Sequence, residues 1–208
     1  DMMVVKDKAE IQAALFLIEK LSEKYPIYYG NGNHENRMDQ NRERYGDQYD
    51  RLKKRLEELH VFHLSDSWAC LGSQIRIYGL NIEESYYKKF NKKIMEKQYI
   101  EERLGKAERK TYGILLAHSP MFHETYAQWG ADLTLCGHFH GGTIRIPGLG
   151  GLMTPQFQLF QKCCGGVHRI ADKVMIVSRG LGTHSINIRL NNKPELVVIH
   201  LKAAVYRR

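Results

Sequence analysis

Asn33, His34 and Glu35 stand together in the stretch GNGNHE (30–35), and three more histidines, His118, His138 and His140, lie in AHSP (117–120) and GHFHGG (137–142). With Asp1 they form a set of oxygen donors and neutral imidazoles, a mixture that suits manganese, iron or zinc rather than calcium. If GHFH is extended, His138 and His140 point the same way, about 6–7 Å apart at the backbone, and each can reach a different ion of a close pair. Two ions about 3.5–4 Å apart are a recurrent device for splitting phosphate esters, in which water is activated and charge on the phosphoryl oxygens is neutralised. Each piece alone is weak. A lone Gly-Asn-His is more often a turn, and a lone His-x-His more often incidental.

The weight comes from the elements that must position the set. Ile11, Leu15, Ile18 and Leu21 recur at spacings of four and three and predict an amphipathic helix over 7–24, stopped by Pro26. IYY (27–29) reads as a short buried strand running into GNGNHE. A second helix is expected over roughly 39–60, from Tyr45, Tyr49, Leu52, Leu56 and Leu59. Strand-like pieces follow at 61–64, 67–71, 74–80 and 112–120, the last breaking at Ser119-Pro120. A short helix at 121–130 leads to the strand of DLTLCGHFHGG (132–142). VMIVSRGLG (174–182) and, after the turn NNKP (191–194), ELVVIHL (195–201) read as the last strands.

This is an α/β grammar. Asp1, Asn33, His118 and the His138–His140 pair each fall at or near the carboxyl end of a strand, the edge where ligands bind in open α/β sheets. Residues 83–110 turn to Lys, Glu and Tyr, and read as a helical insert or cap, or else as solvated surface helices. The apolar centre of 147–166, LMTPQFQLF (152–160), reads as core or as a greasy rim for a lipid-bearing substrate. No linker divides the chain, so residues 1–208 are expected to form a single domain.

The ordered blocks GNHE (32–35), AHSP and GHFHGG resemble the calcineurin-like metallophosphoesterase superfamily, whose blocks run GD, GNH[DE], H and GHxH on a four-layer α-β-β-α sandwich. GADLTLCGHFHGG, IVSRGLG and INIRLNNKPELVVIHL are similar to its bacterial YkuE/YaeI-type branch, so the resemblance runs over essentially the whole chain. It implies a metal-dependent phosphoesterase. Asp1 would bridge two metals, Asn33, His118 and His138 would hold the second, and His140 would bind the first. His34 would contact the scissile phosphate and protonate the leaving oxygen, with Glu35 orienting its ring and raising its pKa. Phe139 and Thr143 depart from the common GHTHGGQ block at places that are not ligands. The family's D-x-H strand, which supplies two first-metal ligands, would precede Asp1 and has no counterpart here. If residues upstream of Asp1 supply that strand, the site is expected to be ordinary; a chain that begins at Asp1 is expected to hold one ion well and to hydrolyse esters poorly.

The net charge of +8 suits an anionic partner, whether a phosphorylated small molecule, a lipid-linked or nucleotide-linked phosphodiester, or an anionic membrane surface. Arg37, His123 and His184 are candidate substrate contacts; a solvated surface is the plainer reading of Arg37. His200, inside VVIHL, reads as structural. Cys70, Cys136, Cys163 and Cys164 show no CxxC spacing, so reduced thiols are expected, and a zinc site of Cys163, Cys164 and His168 lacks a second ligand pair. No apolar run is long enough to span a bilayer. The location implied is cytoplasmic or membrane-associated in a bacterium. A non-catalytic scaffold on the same fold, or a nuclease, are the alternatives; the filled ligand positions weigh against the first, and the lack of an aromatic-interleaved basic groove against the second.

Overall fold

A computed structural model describes residues 2–3, 5, 11–88, 93–142, 145–146, 150–151, 163–182 and 189–203. The elements run α1 (Gln12–Ser22), β1 (Tyr28–Gly30), α2 (Asn33–Gln40), α3 (Arg42–Tyr45), α4 (Gln48–Glu58), β2 (Phe62–Leu64), β3 (Ser67–Leu71), β4 (Ile75–Leu80), α5 (Lys97–Leu104), β5 (Tyr112–Ala117), α6 (His123–Trp129), β6 (Leu133–Cys136), β7 (Arg145–Ile146), β8 (Gly150–Gly151), β9 (Gly166–Ile170) and β10 (Lys173–Val177). Two single 3₁₀ turns, Glu84–Tyr87 and Pro120–Phe122, complete the set.

Six strands form one sheet in the order β3-β4-β5-β6-β10-β9. Its centre, β4, β5, β6 and β10, is parallel, and these strands are the near-continuous apolar runs that parallel sheets require. Parallel pairing brings their carboxyl ends to one edge. β1 and β2 form a separate parallel pair in which Tyr28 faces Phe62 with stacked rings 4.8 Å apart. The expectation of an α/β fold around a central sheet holds.

Where the small pair crosses the large sheet, two glycines set the spacing. A Cβ on Gly79 would overlap the Leu64 carbonyl and come within 2.5 Å of the Leu64 Cβ; one on Gly30 would meet Leu116 Cβ at 3.0 Å. On the other face of β1, Met3, Val5, Ile11, Ala14 and Ile18 pack with Met38, Tyr45, Tyr49, Leu52 and Leu56.

Four expectations need correction. The helix expected over 39–60 is three helices, because Asn41 leaves helical geometry and Gly46, at φ +59°, turns the chain where a side chain would be strained. The helix that matters begins earlier, at Asn33. The stretch 83–110 holds one α-helix after a 3₁₀ turn and is not solvated surface throughout: Tyr86, Met95, Ile100 and Leu104 are buried in the largest core cluster, against Leu115, Tyr126 and Trp129. ELVVIHL forms no strand, since among the described residues no strand lies alongside to pair with it, and Leu196 is 80% exposed. β9 arises in a stretch assigned no strand. Residues 152–160 lie outside the described residues.

Candidate metal and phosphate site

β1 ends at Gly30 and delivers Asn33 and His34 to the first turn of α2, so these residues open a helix rather than sit in a free loop. Gly32 is the N-cap in extended geometry, and Glu35, at the third helical position, takes the Gly32 N–H at 3.0 Å. This supplies the backbone-return half of a capping box without the usual Ser or Thr. The Glu35 carboxylate is fully buried and also accepts the Tyr29 hydroxyl and the Met2 N–H, each at 2.9 Å. Its three bonds bind strand, helix and amino-terminal segment into one frame.

Asn31 anchors the same motif from below. Its Nδ2 donates to Tyr49 OH at 2.8 Å and to Asn36 Oδ1 at 3.3 Å, while its Oδ1 lies 2.8 Å from His63 Nε2. That acceptor makes His63 Nε2 the protonated nitrogen. Sequence reasoning passed over Asn31 as turn punctuation, and a polar side chain between two glycines is little signal.

His118 follows the last residue of β5, and His138 lies two residues beyond β6, its parallel neighbour. His118 Nε2 and His138 Nδ1 stand 3.2 Å apart. Two nitrogens each about 2.0–2.1 Å from one ion stand roughly 3–3.4 Å apart, so this is a separation that neighbouring ligands would show; without an ion it is a hydrogen bond between the rings. Burial pushes the His118 imidazolium well below the usual histidine range, and Glu35, His140 and His34 are close enough for their charges to act on it. A neutral ring is the form that ligates a metal.

Asn33 Oδ1 is buried and makes no hydrogen bond. A buried amide oxygen left in this way costs about 1–3 kcal/mol, and a cation would remove that cost. Among the described residues no three His, Cys, Asp or Glu side chains gather as a metal-holding group. The paired imidazoles of His118 and His138 and the Asn33 amide oxygen are donors of the kind that ligate such an ion.

The His138–His140 pair is not extended. Both residues have positive φ, +66° and +50°, and the chain curls through Gly141 and Gly142, with Gly142 N–H on the Phe139 carbonyl at 2.7 Å. Side-chain alternation along a strand therefore does not apply here. Left-handed non-glycine residues cost of order 1–3 kcal/mol each and collect at functional sites. Buried Phe139 supports the turn from within.

Tyr87, from the 3₁₀ turn before α5, lies edge-on to the His138 ring at 4.9 Å, with His118 at 6.3 Å; its hydroxyl is buried without a partner. Nothing in ESYYKK set it apart from its neighbour Tyr86. Of the candidate substrate contacts, Arg37 pairs with Glu84 at 3.3 Å, and buried His123 opens α6, where burial and then the charge of His168 lower its pKa. Asp1, Thr143 and His184 lie outside the described residues. None of the four cysteines forms a disulfide, and Cys163 Sγ lies 3.8 Å from His168 Nδ1.

A family model described as calcineurin-like phosphoesterase matches residues 5–142. The chain belongs to that family. It is 31% identical to the metallophosphoesterase YkuE of Bacillus subtilis (strain 168) over 48% of its length and 34% of YkuE's. It is 32% identical to the phosphodiesterase YaeI of Escherichia coli (strain K12) over 42% of its own length and 32% of YaeI's. A third relative, the metallophosphoesterase YkoQ of Bacillus subtilis, is 26% identical over 86% of this chain and 61% of that protein. The first two alignments thus span about a third of those relatives' lengths. No solved structure matches significantly. Phosphoesterases of this family use divalent metals, as the donor set would suit. No helix among the described residues is long and apolar enough to cross a membrane.

Proposed function

We propose that the protein hydrolyses a phosphate mono- or diester with divalent metal ions, manganese, iron or zinc, on a lipid-linked or nucleotide-linked substrate. The observation that carries the reading is the pair His118 Nε2 and His138 Nδ1, 3.2 Å apart at the ends of adjacent parallel strands, and the Asn33 amide oxygen, buried without a hydrogen bond at the start of α2, is a further donor of the right kind. Asn33, His118 and His138 would hold one ion; Asp1 and His140 complete the set by family resemblance. Activation of a water and neutralisation of phosphoryl charge are the chemistry such ions supply when bound.

The protein's own residues do the rest. His34 opens α2 with its Nδ1 accepting the Val5 N–H at 2.9 Å, which places the proton of the neutral ring on Nε2, ready to donate to a phosphoryl or leaving oxygen. To act as an acid the ring must also take a proton at Nδ1, where the Val5 N–H stands. Proton transfer therefore requires that contact to open, whereas hydrogen-bond donation does not. The net charge of +8 favours the approach of an anionic substrate.

Hydrolysis of bis-p-nitrophenyl phosphate with added Mn²⁺ tests the reading. Activity should vanish with chelator, and His34→Ala should lower kcat by about 10²–10⁴. His34→Gln, which keeps an N–H donor, separates donation from proton transfer. Metal-independent turnover, or an unimpaired His34→Ala enzyme, overturns the assignment.

A further inference from the structure

We propose that Asn192 is a positioning residue that holds the histidine turn in its working shape through the backbone of His140 and Gly142. The proposal rests on reading that turn as part of a metal-dependent phosphoesterase site. Asn192 belongs to NNKP, otherwise a connecting turn, yet it is 2% exposed while its near neighbour Leu190 is 53% exposed. Its Nδ2 donates to the His140 carbonyl at 2.6 Å and to the Gly142 carbonyl at 2.7 Å. An amide nitrogen carries two hydrogens, and both are engaged on one turn. A carboxylate of the same shape would set lone pairs against both carbonyls.

The fit is mutual. Gly141, between the two carbonyls, has φ +73°, and a Cβ there would lie 2.6 Å from Asn192 Oδ1 and 2.7 Å from Arg179 Cγ. Behind Asn192 the segment is buckled to the loop after β10. Arg179 N–H donates to Glu195 Oε1 at 2.9 Å and its guanidinium pairs with the same carboxylate. Arg189 donates to the carbonyls of Gly182 at 2.9 Å and Arg179 at 2.8 Å. A turn with two left-handed histidines persists only where its surroundings over-determine it, and Asn192 supplies the constraint from 50 residues away in the chain.

The test uses two readouts. In metal-free protein, Asn192→Asp should speed amide hydrogen exchange at 139–142 at least about tenfold, while α4 and β4 stay unchanged and Lys193→Ala has no effect. Mn²⁺ titrated into the same variant and followed by electron paramagnetic resonance should bind about 10–100-fold more weakly, with hydrolysis recovered at saturating Mn²⁺, which general unfolding would not allow. If Asn192→Asp does not fold, Asn192→Ser, keeping one donor, should show the same changes to a smaller degree. Unchanged exchange overturns the clamp whatever the site does. Mn²⁺ bound equally by wild type and variant overturns the positioning role, and a wild type that binds no Mn²⁺ overturns the reading of the site instead.

Discussion

Asn31 ties the side chains of Tyr49, Asn36 and His63 to GNGNHE, and its removal shows what a buried amide contributes. Asn31→Ala strands the His63 N–H and loosens Tyr49 and Asn36. Each lost partner exposes part of a desolvation cost of about 1–3 kcal/mol, so a loss of about 2–3 kcal/mol in urea unfolding is expected. His63 adds a pH dependence. Burial, then Lys53, holds its folded pKa below the ordinary 6.5, so below that pH the unfolded chain binds the extra proton. Stability should be level above about pH 6.5 and fall on acidification, by at most about 1.4 kcal/mol per pH unit for this group. His63→Gln should flatten that part of the slope; an unaltered slope would remove His63 from the account.

At the scale of elements, the crossing of the β1–β2 pair over β4 and β5 is fixed by two missing methyl groups. Gly79→Ala would push a Cβ into the Leu64 backbone, which cannot rotate away as a side chain could. A loss of about 1–3 kcal/mol or more is expected, against a smaller one for Gly30→Ala, whose neighbour is the Leu116 side chain. Thermal melts of the two variants check the order. These contacts were not legible in the sequence, because a glycine in an apolar strand does not announce what approaches it.

The strand ends were legible. YGILLA and LTLC are apolar runs that stop at polar residues, and His118 and His138 do sit at adjacent carboxyl ends. The start of α2 was hidden because its cap is a glycine answered by Glu35, and the shape of GHFH because left-handed histidines contradict the plain reading of alternation. The core role of 83–110 was missed for a different reason: its buried residues, Tyr86, Met95, Ile100 and Leu104, are too sparse to make a periodic stripe.

Across the whole molecule the six-stranded sheet and the β1–β2 sheet are unequally finished. The large one has six strands and apolar packing; the small one has two strands of three residues, and a parallel pair of that size has little stability of its own. Beside it lies a cleft of about 350 Å³ lined by Ile18, Leu21, Tyr28, Leu116, Leu135 and His118. His118, a candidate metal ligand, also lines this apolar space, so ligation there is expected to bear on the stability of the small sheet. Mn²⁺ that binds only the folded chain should raise Tm with concentration, by about 2.7 kcal/mol of stability at a hundredfold excess over Kd. A Tm indifferent to Mn²⁺ would break that link.

The run Leu196–Leu201 has a consequence for handling the protein. Six residues, LVVIHL, lie exposed with no proline, no fixed charge and five apolar side chains, Leu196, Val197, Val198, Ile199 and Leu201, each at least 36% exposed. Such windows seed intermolecular β-stacking when nothing shields them. Concentrated solutions of this chain should scatter light and bind thioflavin progressively, and Val198→Lys should delay both without touching the histidine turn. The same six residues then decide how long a sample stays monodisperse enough to assay.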